Sequence, residues 1–206
     1  MILRPFAALL LALALTAPVF AADHDKSDAK PAAEAKAAPA PQEKSVVTEH
    51  SVSINGRSYA YKATAGTLII RNEKGEPDAS MFYVAYTVGD DKDAGKRPVT
   101  FLYNGGPGSS SIWLHMGSFA PERIETASPD ATPPAPYHLV PNADSLLDKT
   151  DLVFVDAIGT GFSHGFPNAK DKKDKDANPD KRFWGTDEDI DAFGRFVQRY
   201  ITKYNR

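Results

Sequence analysis

The chain has 206 residues, no cysteine and a formal net charge of −3 at pH 7. The length suits one domain with a real core, and the missing cysteines exclude disulfides, thiolate catalysis, zinc–cysteine sites and a lipid-bearing anchor cysteine. The basic residues are scattered rather than gathered in a stripe with aromatics, so no nucleic-acid partner is expected.

In chain order, the first stretch is MILRPFAALLLALALTAPVFAA, with Arg4 as its only charge. An apolar run from Phe6 to Leu15 leads to Val19-Phe20-Ala21, a small-x-small cleavage pattern. This predicts a secretory signal peptide over residues 1–21, and hence a secreted or periplasmic protein with no lasting membrane anchor. Residues 22–45 are Ala, Pro, Lys, Asp and Glu with hardly an aliphatic side chain. Such a segment buries too little apolar surface to offset its ordering entropy and reads as a disordered linker.

A folded domain is expected over 46–206. HSVSINGRSYAYKAT alternates on both sides of Asn55-Gly56, a hairpin signal. TLIIRN, the turn-like EKGEPDAS and MFYVAYTV extend it into an antiparallel meander, which DDKDAGKRP closes with a charged turn. Two later runs, VTFLY (99–103) and DLVFVD (151–156), are continuously apolar, as strands covered on both faces are. Residues 165–182 mix charges of both signs with two prolines and read as a solvated excursion. From Thr186 the apolar positions Ile190, Phe193, Val197, Tyr200, Ile201 and Tyr204 mark one face of a helix. Thr186 with Asp189 resembles a capping box, and Arg199, Lys203 and Arg206 suit the helix C-terminal end.

Two motifs carry chemistry. GTGFSHG (159–165) matches the G-x-S-x-G nucleophile elbow at Gly161, Ser163 and Gly165. The match is expected to be accidental. An elbow serine needs a helix directly after it, whereas His-Gly-Phe-Pro-Asn follows here, and the only later histidine is the adjacent His164. The second motif is YNGGPGSSS (103–111), directly after VTFLY. A strand ending in glycines can aim backbone N–H groups into a cleft, as an oxyanion hole requires. No G-K-[ST] follows it and G-x-G-x-x-G does not fit, which removes phosphate-loop and dinucleotide readings. A purely structural glycine turn stands beside the oxyanion reading on these residues alone. The five histidines (His24, His50, His115, His138 and His164) form no i, i+4 pair, so no metal site or cofactor is expected.

FLYNGGPGSSSIWLHMGSFAPERI resembles the glycine loop of the serine carboxypeptidases, α/β-hydrolase peptidases active in acid. PNADSLL, DLVFVDAIGTGFS and FWGTDEDIDAFGRFVQRYITKY follow in the order that family shows, over roughly residues 95–206. The resemblance implies the N-terminal part of an α/β-hydrolase, an antiparallel meander leading into a mostly parallel sheet with flanking helices. It implies a peptide substrate with a free C-terminal carboxylate, cleaved through an acyl-enzyme. Asn104 matches the asparagine that helps hold that carboxylate, Gly105 the glycine whose N–H joins it, and Gly106 the glycine whose N–H donates to the oxyanion. The family's nucleophile sits in a later G-E-S-Y-[AG] elbow, with acid and histidine later still. The chain is therefore expected to be a fragment that is inert alone. Ser109 stands where many members carry cysteine, and Ala157-Ile158 replaces a Gln-Pro-like pair. The meander and the charged excursion fit a bacterial branch. An esterase or acyltransferase on the same scaffold would share the loop, and a non-catalytic binding module is the third reading.

Overall fold

The computed structural model describes residues 40–105, 108–127, 129–131, 134–169, 171–174 and 176–206. The expected signal peptide, most of the expected linker and Gly106 lie outside the described residues.

The meander forms as expected. Strand β1 (Ser45–Ile54) turns at Asn55-Gly56 into β2 (Arg57–Arg71), and both turn residues have positive φ, 52° and 76°. That is the geometry two-residue hairpins demand and the reason for Asn-Gly there. The SYAYKAT and TLIIRN runs are a single 15-residue strand, paired along its length with β1 and with β3 (Pro77–Val88). The charged turn after β3 is a 3₁₀ segment, Asp91–Lys96.

Strand β4 (Val99–Leu102) follows, then a short helix α1 (Ile112–Leu114) that continues as a wide π turn over His115–Phe119. Strands β5 (Glu122–Ile124) and β6 (Leu139–Pro141) pair in a separate ribbon. Strand β7 (Asp151–Val155) then enters the main sheet, and β8 (His164–Gly165) pairs with β3. The order is β1-β2-β3-β7-β4. Every pairing in it is antiparallel except β4 with β7, where the antiparallel meander gives way to a parallel pair.

β7 is buried at all five residues, as its continuous apolar run predicts. Its side chains alternate between two cores, as a period of two requires. Val153 and Val155 face helix α2 (Thr186–Lys203), while Leu152 and Phe154 pack with Val52, Ile54, Tyr61 and Leu147 on the other face. β4 carries an equally apolar sequence but is only half-buried through Phe101, because among the described strands it has one neighbour. An apolar run records hydrophobicity and not position in the sheet.

Helix α2 buries Ala192, Phe193, Phe196 and Tyr200. This stripe is rotated from the expected one, with Phe196 at its centre and Ile190 left 66% exposed. The N-cap is Gly185, whose carbonyl accepts from the Asp189 amide at 2.9 Å, and it makes no side-chain cap. Thr186 is thus already inside the helix and the capping box does not form. Tyr83 on β3 lies under α2, edge-on to Phe196 and Tyr200, and its hydroxyl bonds to that of Tyr204.

The excursion at 165–182 is tied down at its end. Arg182 donates to Asp171 at 2.6 Å, Asp78 at 3.0 Å and the Phe166 carbonyl at 3.1 Å, and Arg195 of α2 donates to the other Asp78 oxygen at 3.0 Å. Asp78 is the second residue of β3, so this network fastens the excursion to both sheet and helix.

Candidate active site

β4 and β7 run parallel, so their carboxyl ends open on the same side of the sheet. In open α/β sheets that is where ligands bind. The glycine loop leaves β4 there, and the 156–163 loop leaves β7 beside it.

Two residues bind these loops together. The Ser111 amide donates to Asp156 Oδ1 at 2.8 Å, and the Ser111 hydroxyl donates to the Val155 carbonyl. The same hydroxyl accepts the Asn104 amide at 3.2 Å, which closes the glycine loop on itself. The Asp156 amide in turn donates to the Phe82 carbonyl at 3.0 Å. Gly161 packs so tightly on the carboxylate that a Cβ there would lie 2.0 Å from Asp156 Oδ2. Burial raises the Asp156 pKa, and the Ser111 and Phe162 amides oppose that shift without cancelling it.

Ser163 belongs to this scaffold. It is buried, its Oγ donates to the Asp156 carbonyl at 2.8 Å, and it accepts the Phe82 amide at 2.8 Å. The residues after it form β8 and not a helix. His164 is exposed, with its Nδ1 3.4 Å from the Phe162 carbonyl and its ring edge-on to Phe166. The G-x-S-x-G match is therefore a structural lock without the geometry of an elbow.

Of the residues assigned from sequence, Asn104 is half-buried and its side-chain amide donates to the Gly105 carbonyl at 2.9 Å. Gly105 is exposed, and a Cβ on it would meet nothing within 4 Å, so open space lies over this part of the loop. Gly106 lies outside the described residues. Sequence reasoning missed Ser111 and Asp156. The available signal was a carboxylate ending the DLVFVD run, a polar group placed where burial was already expected.

Beyond the glycine loop, the π turn after α1 begins with a half-buried imidazole. His115 stacks on Phe154 with centroids 4.6 Å apart, and its Nε2 lies 2.6 Å from Tyr86 Oη. Burial pushes His115 down to about 4 and pushes the Tyr86 hydroxyl up. The proton is accordingly assigned to Tyr86, which donates to a neutral ring. Three aromatics on or next to these loops are exposed: Trp113 in α1, Phe162 (edge-on to Phe82) and Tyr103, which stacks on Phe193 at 4.3 Å. No group of metal-binding side chains occurs among the described residues, and none of their helices is long and apolar enough to cross a membrane.

The sequence pattern of the serine carboxypeptidases matches residues 55–203. The chain belongs to the serine carboxypeptidase family. It is 27% identical over 145 residues to the pheromone-processing carboxypeptidase KEX1 of Saccharomyces cerevisiae strain ATCC 204508 / S288c, covering 68% of this chain and 18% of the yeast protein. The KEX1 protein of strain JAY291 matches at the same identity, with 17% of its length covered. The crystal structure of Kex1(delta)p, a prohormone-processing carboxypeptidase from the same yeast, superposes with a TM-score of 0.52 and 25% identity, over 71% of this chain and 29% of that one. The chain thus spans less than a fifth of the length of the curated relatives it matches.

Proposed function

We propose that residues 46–206 are the N-terminal portion of a secreted serine-type carboxypeptidase, which releases C-terminal residues from peptides through an acyl-enzyme. The observation that carries this reading is the glycine loop, held at the shared carboxyl end of β4 and β7 by Ser111 and Asp156. In this reading the Asn104 side chain and the Gly105 N–H hold the substrate's terminal carboxylate, and the Gly106 N–H donates to the tetrahedral oxyanion. Residues 1–21 direct export, and no cofactor takes part.

Ser163 is spent on two backbone groups and is not the nucleophile in this reading, which takes the nucleophile, its histidine and its acid from a further part of the protein. Among the described strands β4 has a neighbour on one side only, which leaves its other edge as a place for a further strand. One oxyanion donor is worth about 3 kcal/mol of barrier, which cannot replace a nucleophile.

The test uses an N-blocked dipeptide with a free carboxylate and the same peptide as its C-terminal amide. The 206-residue chain should release no amino acid and take up no serine-directed fluorophosphonate. A longer protein that includes it should do both, with preference for the free acid. Labelling of Ser163 in the 206-residue chain would overturn the reading.

A further inference from the structure

Asp156 has an environment that packing alone does not require. It is a buried carboxylate with no ion-pair partner among the described residues, and a carboxylate buried without a cation is costly. Its Oδ1 instead takes the backbone amide of Ser111 in the glycine loop at 2.8 Å, and the Phe162 amide of its own loop faces the carboxylate closely enough to oppose the rise of its pKa. A carboxylate is the side chain that can accept on several sides at once. An apolar residue could fill the volume but could not grip both loops.

The grip passes to the glycine loop in two steps. Asp156 fixes the Ser111 amide, and the Ser111 hydroxyl, anchored on the Val155 carbonyl, accepts the amide of Asn104. Asp156 is itself fixed by its amide on Phe82, by the Ser163 hydroxyl on its carbonyl and by the tight fit of Gly161. The carboxylate and the Val155 carbonyl together thus hold Ser111, and through it Asn104, in place beside β7.

We propose that Asp156 is a positioning residue for substrate-carboxylate recognition, acting through Ser111 to place the Asn104 side chain and the Gly105 N–H. The inference rests on the carboxypeptidase reading above. Two donors must meet one terminal carboxylate at hydrogen-bond distance, and a displacement of about 1 Å is enough to lose that match. The Asn104 side-chain amide donates to the Gly105 carbonyl at 2.9 Å, a bond that a bound carboxylate would replace.

The experiment uses the catalytically competent protein that carries these residues. It compares cleavage of a peptide ending in a free carboxylate with cleavage of the same peptide ending in an amide. Asp156→Asn keeps the shape but weakens the grip on the amides. It should lower the acid-to-amide ratio about tenfold, mainly through a raised KM for the acid, because uniform binding is what is lost. Ser111→Ala should do the same, and it carries the test if Asp156→Asn fails to fold. Ser111→Thr, which retains the hydroxyl, should keep the ratio. Both substrates are measured on one preparation, so a reduced folded fraction cancels. Equal losses on acid and amide, or an unchanged ratio in Asp156→Asn and Ser111→Ala, would overturn the proposal. A wild-type protein that does not discriminate acid from amide would instead sink the carboxypeptidase reading itself.

Discussion

The hydroxyl of Ser163 accepts the amide of Phe82, 81 residues earlier in the chain, at 2.8 Å. It donates its own proton to the Asp156 carbonyl, also at 2.8 Å. One side chain thus fastens the loop after β7 both to β3 and to itself, in a place that β-ladder bonds do not reach. A hydroxyl with its proton and lone pair committed in this way is poorly available as a nucleophile.

Ser163→Ala should therefore act on stability. It leaves a part-buried N–H and a buried C=O without their partner, at a cost of about 2–3 kcal/mol. A urea titration should show a lower midpoint with an unchanged slope. In the competent protein, labelling by a serine-directed reagent should persist in this variant. Loss of labelling with unchanged stability would contradict the structural role.

Gly161→Ala tests the fit against Asp156. The residue has φ 52°, and the added Cβ would sit 2.0 Å from a carboxylate oxygen. A left-handed alanine costs about 1 kcal/mol before the clash is counted, so a loss of roughly 3 kcal/mol is expected. Thermal melting of the variant checks this, and a shift of less than a degree would mean that the loop yields easily.

His115 links stability to acidity. Its pKa falls from 6.5 unfolded to about 4 folded, because burial penalises the imidazolium. Between those values the unfolded chain binds more protons than the native one, so stability rises with pH across that window and is lost as pH falls. The facing groups are Tyr86, which bonds to it, and Tyr61 and Glu122 beyond. The full effect is at most on the order of 3 kcal/mol. Denaturant midpoints at pH 7, 5.5 and 4.5 should drop less steeply in His115→Gln than in the wild type. Parallel slopes would remove His115 as the cause.

Asp151 starts β7 fully buried between two arginines. Arg97 Nε lies 2.9 Å from Oδ1 and Arg206 Nη2 lies 2.6 Å from Oδ2, and the Val88 amide adds 3.1 Å to Oδ1. The Arg206 side chain is only 4% exposed. Asp151→Asn leaves two cations facing a neutral group and should cost about 3–5 kcal/mol. The loss should vary little with salt, since buried charges are weakly screened. A strongly salt-dependent loss would indicate that the network is open to solvent.

The sequence by itself determined the local elements. Asn55-Gly56 specified its hairpin because few other pairs accept positive φ at both positions. DLVFVD specified a fully covered strand, and the apolar spacing after Thr186 specified a helix. The order of motifs along the chain carried the family. Tertiary structure decided what spacing cannot express. It rotated the buried stripe of α2 onto Phe196, because the helix must fit the sheet it lands on and not an ideal wheel. It set VTFLY at the edge of the described sheet, since an apolar run is the same string in the middle of a sheet or at its margin. It turned Arg182, in a stretch that reads as solvated, into an anchor for Asp78 and Asp171. Above all it gave Ser111, Asp156 and Ser163 their roles. Their partners are Asn104, Val155 and Phe82, and only the pairing of β3, β7 and β4 brings these residues within the reach of a hydrogen bond.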